Sequence, residues 1–91
     1  MITAIVFVQA EVSGINETAA QIADLDGVSE VYSVTGDHDL IAMVRVQHVD
    51  DIAAVVAGRL NKVAGVLATQ TQIAFQTFSR HDLEDAFSIG L

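Results

Sequence analysis

The stretch VYSVTGDHDLIAMVRV, residues 31–46, places two apolar runs rich in β-branched residues on either side of a polar centre. Runs of this kind around a glycine-containing turn are typical of a β-hairpin. Gly36 is expected to supply the positive φ angle that the turn needs. The same turn carries Asp37, His38 and Asp39, which is more ionisable chemistry than a hairpin requires. The hairpin therefore indicates part of the fold, and its ionisable turn is a candidate functional site.

Strand and helix patterns extend from this hairpin in both directions. The N-terminal run ITAIVFVQA is apolar with little alternation, which is typical of a strand buried on both faces. Elsewhere apolar residues recur at helical spacing, and Gly27 and Gly65 follow the two helical stretches as helix-ending signals. The predicted order is strand 2–10, helix 15–25, strand 28–35, strand 40–47, helix 49–62 and strand 66–78.

The two glycine signals belong to an internal repeat. Residues 25–28, LDGV, end the first helix and start a strand, and residues 63–66, VAGV, do the same after the second helix. Two strand–helix–strand halves joined by the hairpin give a ferredoxin-like βαββαβ fold of the α+β class. Its four-stranded antiparallel sheet carries both helices on one face.

The first strand is apolar on both sides, with Ile5 and Phe7 alternating with Val6 and Val8. Helices cover only one face of such a sheet, so the other face also needs burial. A second copy packed sheet against sheet meets this need, and the sequence therefore predicts a homodimeric α+β barrel. A hydrophobic content of 52% in a chain of 91 residues favours the same conclusion.

Composition limits the partners and the compartment. The formal net charge is −8, with four basic residues against twelve acidic ones. Because nucleic-acid affinity depends largely on Lys and Arg contacts to phosphates, we expect no direct nucleic-acid binding by this chain. No apolar run approaches the length that spans a bilayer, and the sequence has no cysteine. We expect a cytoplasmic protein that has no disulfides and no membrane contact.

The acidic turn has chemistry that suits a small zwitterion. Asp37 or Asp39 would pair with a free ammonium group, although each also has an ordinary structural role in a turn. The last strand offers Thr69 and Thr71, which point to the same face, and hydroxyls beside a carboxylate suit the head group of an amino acid. A solvated strand segment explains the threonines equally well, because Thr favours strands. On the residues alone, both interpretations stay open.

The segments VYSVTGDHD, LDGV and TQT, residues 31–39, 25–28 and 69–71, resemble the ligand-binding domain of the leucine-responsive/AsnC-type transcription regulators, also called RAM. The resemblance extends from Ile2 to about Phe78. Its short V-x-G-x-x-D core gains specificity from its position between the second and third strands. We therefore expect residues 1–79 to form this domain and residues 80–91 to form a tail with a short amphipathic helix.

The resemblance also implies an activity and a site. It implies dimers that assemble further, often into octamers, and an amino acid or similar small effector bound between dimers near the Gly-Asp turn. Regulators of the family carry a helix-turn-helix domain, for which a first strand at Ile2 leaves no room. We expect a stand-alone module whose candidate partner is a full-length AsnC-type regulator. Carried over by position, the implied ligand-binding residues are Gly36, Asp37, Asp39, Thr69 and Thr71, with Tyr32 and His38 lining the pocket.

Three rival functions use the same fold or the same residues. Small cofactor-free monooxygenases and isomerases share the dimeric α+β barrel, but no His of this sequence falls in a predicted strand facing the interior. ACT-like regulatory modules also bind amino acids on a βαββαβ fold. A metal site of Asp37, His38 and Asp39 would need a bend, because consecutive strand residues point to opposite faces. We expect a binding module with no enzyme activity, no cofactor and no metal ion.

Overall fold

The computed structural model describes residues 1–80. Its elements are β1 (Ile2–Ala10), α1 (Ile15–Ala23), β2 (Val28–Ser33), β3 (Leu40–Val46), α2 (Val49–Val56) and β4 (Val66–Ala74), with short 3₁₀ turns at Val12–Gly14 and Leu60–Lys62. The strands form one antiparallel sheet in the order β2-β3-β1-β4, so β3 and β1 are central. The predicted ferredoxin-like α+β fold is confirmed.

Three strands are shorter than the sequence predicts, β3 by one residue at its end and β2 and β4 by more. β2 ends at Ser33 rather than at residue 35, because Ser33 pairs with Leu40 at the start of β3 and the chain turns between them. β4 ends at Ala74 rather than at residue 78. Ala74 pairs with Thr3, and β1 begins at Ile2, so β4 has almost no further backbone to pair with. The length of β4 is therefore set by the start of β1.

Both helices also end earlier than the apolar pattern predicts. α1 ends at Ala23 and α2 at Val56. Gly58 follows α2, and glycine is a poor helix former. The chain continues into the 3₁₀ turn, which still buries Leu60 in the core. The predicted C-terminal helix falls in residues 80–91, of which only Arg80 lies within the described part.

The core lies between the two helices and one face of the sheet. α1 packs on β2 and β3, and α2 packs on β3 and β1. The opposite face of the sheet, which we call the open face, carries Ile5, Phe7, Ile41 and Met43, and these side chains are only partly buried in one protomer. The residues with no exposed surface are Ala4, Val6, Val8, Ile22, Leu40, Ala42, Val44 and Leu60.

The repeated glycines pack each half of the fold against the other. Gly27 and Gly65 both have φ of +94°, a conformation that side chains disfavour. Gly27 follows α1 but packs against Val55 of α2, whereas Gly65 follows the second helical segment but packs against Thr18 of α1. Thr18 is buried, and its hydroxyl donates a hydrogen bond of 3.3 Å to the carbonyl of Ala64. The repeat seen in the sequence is thus a pair of crossed contacts.

Candidate functional site

The β2–β3 turn is anchored to the end of β1 by Asp39. Its backbone N–H donates to the carbonyl of Val8 at 2.9 Å, and its carboxylate accepts from the N–H of Ala10, also at 2.9 Å. The turn is closed by the N–H of Val34, which donates to the Asp39 carbonyl at 3.0 Å. The anchoring point coincides with an irregularity in the β1–β4 pairing between Gln9 and Ala10. Asp39 therefore positions the whole turn.

The remaining turn residues face outward. Gly36 has φ of +106°, with open space where a Cβ would stand. The Asp37 carbonyl accepts a hydrogen bond of 3.3 Å from Nε2 of Gln9, while its exposed carboxylate has no partner within residues 1–80. The His38 ring packs against Phe7 of the open face, with ring centroids 5.1 Å apart and planes tilted by 45°. One carboxylate and one imidazole thus remain accessible at this end of the sheet.

A cavity of about 210 Å³ lies beside the turn. The turn sits at the end of β1 on one side, and the start of β4 lies on the other, where Ala68 pairs with Gln9 and Gln70 with Phe7. An aromatic ring, two carboxamides and an imidazole therefore meet around one small space. The lining residues are Phe7, Gln9, His38, Ala68, Thr69 and Gln70.

The structure brings together some of the predicted site residues and separates others. His38 and Thr69 line the cavity. Thr69 pairs with Val8 and Thr71 with Val6, so both threonine side chains lie on the helix side of the sheet, opposite the side chains of Phe7 and Gln70. Tyr32 pairs with Ile41 and lies on the open face, with β3 between it and β1. Gly36, Asp37 and Asp39 form the turn beside the cavity.

Thr69 already has a partner inside the protomer. Its hydroxyl donates a hydrogen bond of 2.7 Å to the carboxamide oxygen of Asn61. Two carboxamides that sequence reasoning missed, those of Gln9 and Gln70, line the cavity instead. The signal that would identify them is the register of β1 with β4, which the sequence pattern alone does not fix.

A second polar group lies on the open face at the β2 edge. Arg45 pairs with Glu30 at 3.0 Å and also donates to the hydroxyl of Ser29. The hydrogen bond from Arg45, and then that from Tyr32, lower the pKa of Glu30 below its ordinary value of 4.5. The bond to Glu30 in turn raises the pKa of Tyr32 above 10.0. This group adds charge to the open face beside the apolar side chains of β1 and β3.

Replacing Glu30 with glutamine is expected to reduce the acid sensitivity of stability. The folded-state pKa of Glu30 is lowered, so its contribution is present above pH 4.5 and is lost as the pH falls through the lower folded-state value. Melting temperatures at pH 7 and pH 3 should therefore differ less in Glu30→Gln than in the wild type. The Glu17→Gln change, at an exposed carboxylate in the first turn of α1, is the control. An equal pH dependence in Glu30→Gln and wild type would contradict the assignment.

Two further classes of site find no support in the described part of the chain. No helix in residues 1–80 is long and apolar enough to cross a membrane. In the same range no three His, Asp or Glu side chains gather as metal ligands.

Comparison with known proteins identifies the family. A family model described as the Lrp/AsnC ligand binding domain matches residues 3–83. The chain belongs to this family. The resemblance stated from residues 25–28, 31–39 and 69–71 is thus confirmed. An uncharacterised HTH-type transcriptional regulator of Pyrococcus horikoshii, PH1916, is 39% identical over 61 residues, which cover 67% of this chain and 41% of that regulator. The Lrp/AsnC domain described here thus spans less than half the length of that relative.

Solved structures share the fold over most of the chain. The crystal structure of TTHA0845 from Thermus thermophilus has a TM-score of 0.82 and 39% identity, covering 88% of this chain and 100% of that one. The complex of transcriptional regulator NMB0573 from Neisseria meningitidis with L-Met has a TM-score of 0.77. It is 16% identical and covers 87% of this chain and 53% of that one, so it establishes likeness of fold alone.

Proposed function

We propose that this Lrp/AsnC domain binds a free amino acid in the cavity beside the β2–β3 turn and acts as an effector-binding and oligomerisation module. The observation that carries the proposal is a small cavity with an aromatic wall and carboxamides. The neighbouring turn holds Asp37, whose carbonyl accepts from Gln9 of the lining and whose carboxylate has no partner within residues 1–80. An amino acid presents complementary groups, namely an ammonium, a carboxylate and a side chain. The L-Met complex of a regulator with this fold supports the choice of ligand class.

The proposed arrangement gives each part of the ligand a partner. The Asp37 carboxylate takes the ammonium group in charge-assisted hydrogen bonds. The carboxamides of Gln9 and Gln70 and the imidazole of His38 donate to the carboxylate, since Gln9 uses only one of its two N–H groups on the turn. The Phe7 ring packs against the apolar part of the ligand. These residues belong to one protomer and to one end of its sheet.

The other predicted residues have supporting roles in this proposal. Gly36 shapes the turn, and Asp39 holds it against β1 because its carboxylate is engaged by Ala10. The Thr69 hydroxyl does not donate to the ligand in this proposal, because it donates its proton to Asn61. Tyr32 lies outside this cavity and would reach the ligand only from a neighbouring copy. Thr71 lines a separate depression on the helix side of the sheet and has no contact with the ligand in this proposal.

We further propose that the open face is buried against a second copy of the chain. Ile5, Ile41 and Met43 are only partly buried in one protomer and form a continuous apolar surface across β1 and β3. Two-sided burial of the central strand follows if two such faces pack together. The resulting dimers would assemble further, and an octamer is the size that the family resemblance suggests.

The wider context of the module is also a proposal. Its relatives include HTH-type transcriptional regulators, so we place the protein in the cytoplasm with a regulator of this kind as a candidate partner. We assign binding and not catalysis to the site. His38, the imidazole at the cavity, packs on an aromatic ring and has no carboxylate partner within residues 1–80 that would orient it as a base.

Replacing Asp37 with asparagine is expected to weaken amino-acid binding roughly tenfold or more, because a hydrogen bond to a charged group contributes about 1.5–3 kcal/mol. A thermal-shift screen over the common amino acids selects the ligand, since a ligand that binds the folded state raises the melting temperature. Calorimetric titration then compares wild type, Asp37→Asn and Asp24→Asn, the last being an exposed carboxylate beyond the end of α1.

The variant Asp39→Asn separates positioning from direct contact. It should lower the melting temperature of the unliganded protein as well as the affinity, because it weakens the bond to Ala10. Asp37→Asn should leave the melting temperature of the unliganded protein nearly unchanged. Equal affinity of Asp37→Asn and wild type for the selected amino acid would place the ligand elsewhere, and a screen with no stabilising amino acid would reject the ligand class.

A further inference from the structure

A second apolar surface lies on the helix side of the sheet, along its β4 edge. α2 packs on β3 and β1, so the outer strand β4 is not covered along its second half. Ile73 pairs with Ala4, which places its side chain on the helix side, yet it is 44% exposed. We call this depression of about 400 Å³ the α2–β4 trough. Its lining residues are Val49, Asp50, Ile52, Ala53, Val56, Ala57, Thr71 and Ile73.

An uncharged arm with two aromatic residues leaves the protomer at the end of this trough. After Ala74 the chain has no strand to pair with, because β1 begins at Ile2. Residues 75–78, FQTF, follow without regular structure, and Phe75 and Phe78 are 102% and 78% exposed. We call residues 75–78 the arm. Aromatic side chains each bury a large apolar area when covered, so two exposed rings three residues apart are a candidate contact surface.

We propose that the arm of one copy lies in the α2–β4 trough of a second copy. The arm carries no charge, and Asp50 is the single ionisable residue of the trough lining. Contact therefore removes little charged surface from water, so the desolvation cost of charged groups is small. Phe78 does not fill the trough of its own protomer, since most of its surface is exposed. The contact is separate from the open face and does not depend on the proposed effector site.

The geometry of this contact has a consequence for assembly. The arm and the trough are different surfaces, so each copy donates one arm and accepts one arm. Such a heterologous contact either closes reciprocally between two copies or links copies head to tail, into a ring where the rotation closes and into a filament where it does not. Either arrangement covers both aromatic side chains and the exposed half of β4.

Cysteine cross-linking tests the proposal directly, because the chain has no native cysteine. Chains carrying Phe78→Cys are mixed with size-tagged chains carrying Ala53→Cys and oxidised. We expect the tagged heterodimer to form at least about tenfold faster than with Ala54→Cys, since contact raises the effective concentration of the thiols. Ala54 is the matched control, being exposed on the same helix but outside the trough.

A blocking variant provides a second measurement. Ala53→Arg should lower the mass measured by sedimentation velocity, as should Phe75→Ser combined with Phe78→Ser, whereas Ala54→Arg should leave it unchanged. Circular dichroism melting verifies that each variant folds. The cross-link should persist in chains that also carry Ile5→Asp, which targets the open face, so failure of the sheet-to-sheet dimer would not mimic failure of the arm contact.

Two results would overturn the proposal. The first is a cross-link rate equal to that of the Ala54→Cys control with an unchanged mass of Ala53→Arg. The second is a disulfide formed within a single chain when Phe78→Cys and Ala53→Cys are combined, with no heterodimer on mixing, which would show that the chain's own C-terminal residues fill the trough.

Discussion

Replacing Val6 with aspartate is expected to unfold the protein, whereas the same change at the neighbouring Ile5 is expected to leave each protomer folded and to separate the copies. Val6 has no exposed surface and lies between Ala42 and Thr71 on the helix side. An unpaired charge there costs roughly 4 kcal/mol or more, against a total stability of about 5–15 kcal/mol for a typical domain. Ile5 faces the open side, where water reaches the new carboxylate in a single protomer.

Circular dichroism and sedimentation equilibrium together distinguish the two outcomes. Val6→Asp should lose its cooperative melting transition, and Ile5→Asp should keep a transition while its mass falls. Ala20→Asp, at an exposed position of α1, is the control and should change neither property. If Ile5→Asp retains the wild-type mass at micromolar concentration, the open face is not the dimer interface.

The second large effect is expected at Gly65. Its φ of +94° costs a side chain about 1–2 kcal/mol, and a Cβ would collide with the Thr18 hydroxyl. Overpacking of this kind adds about 1–3 kcal/mol. Gly65→Ala should therefore reduce the free energy of unfolding, measured by urea denaturation, by the sum of both terms.

Two companion variants separate the terms. Gly36→Ala has an equally unfavourable φ of +106° but open space around the new Cβ, so it should lose only the backbone term. Thr18→Ala combined with Gly65→Ala should recover part of the loss, giving a coupling energy in a double-mutant cycle. Equal losses for Gly36→Ala and Gly65→Ala would mean that the contact with Thr18 relaxes without cost.

The sequence predicts the element order because each boundary carries a local signal. Gly27 and Gly65 end helical segments, and the apolar runs around Gly36 define the hairpin. Where elements end was predicted less well, because the end of a strand depends on its partner. The stop at Ala74 follows from the start of β1, a distant part of the chain that a local pattern does not include.

The candidate site was predicted only in part, because some of its residues are neighbours in the sequence and others meet only through strand pairing. The turn residues are contiguous, so Asp37 and His38 could be found from the sequence. Gln9 and Gln70 lie far apart in the chain and meet only through the pairing of β1 with β4. The role of Asp39 in anchoring the turn was also not predictable from a local pattern, because its carboxylate accepts from the N–H of Ala10, 29 residues away in the sequence. Residue type indicated an acidic site, but register decided which groups surround the cavity.

The crossed contacts of Gly27 and Gly65 bear on how the two halves depend on each other. Each glycine closes the unit that precedes it, but its tight fit is provided by a side chain of the other unit, Val55 or Thr18. Neither half thus contains all the surfaces that seal its own helix exit. The similarity of the halves therefore does not make them autonomous modules, and we expect a change at Val55 or Thr18 to weaken the closure of the opposite half. We expect the two halves to unfold together in one cooperative transition.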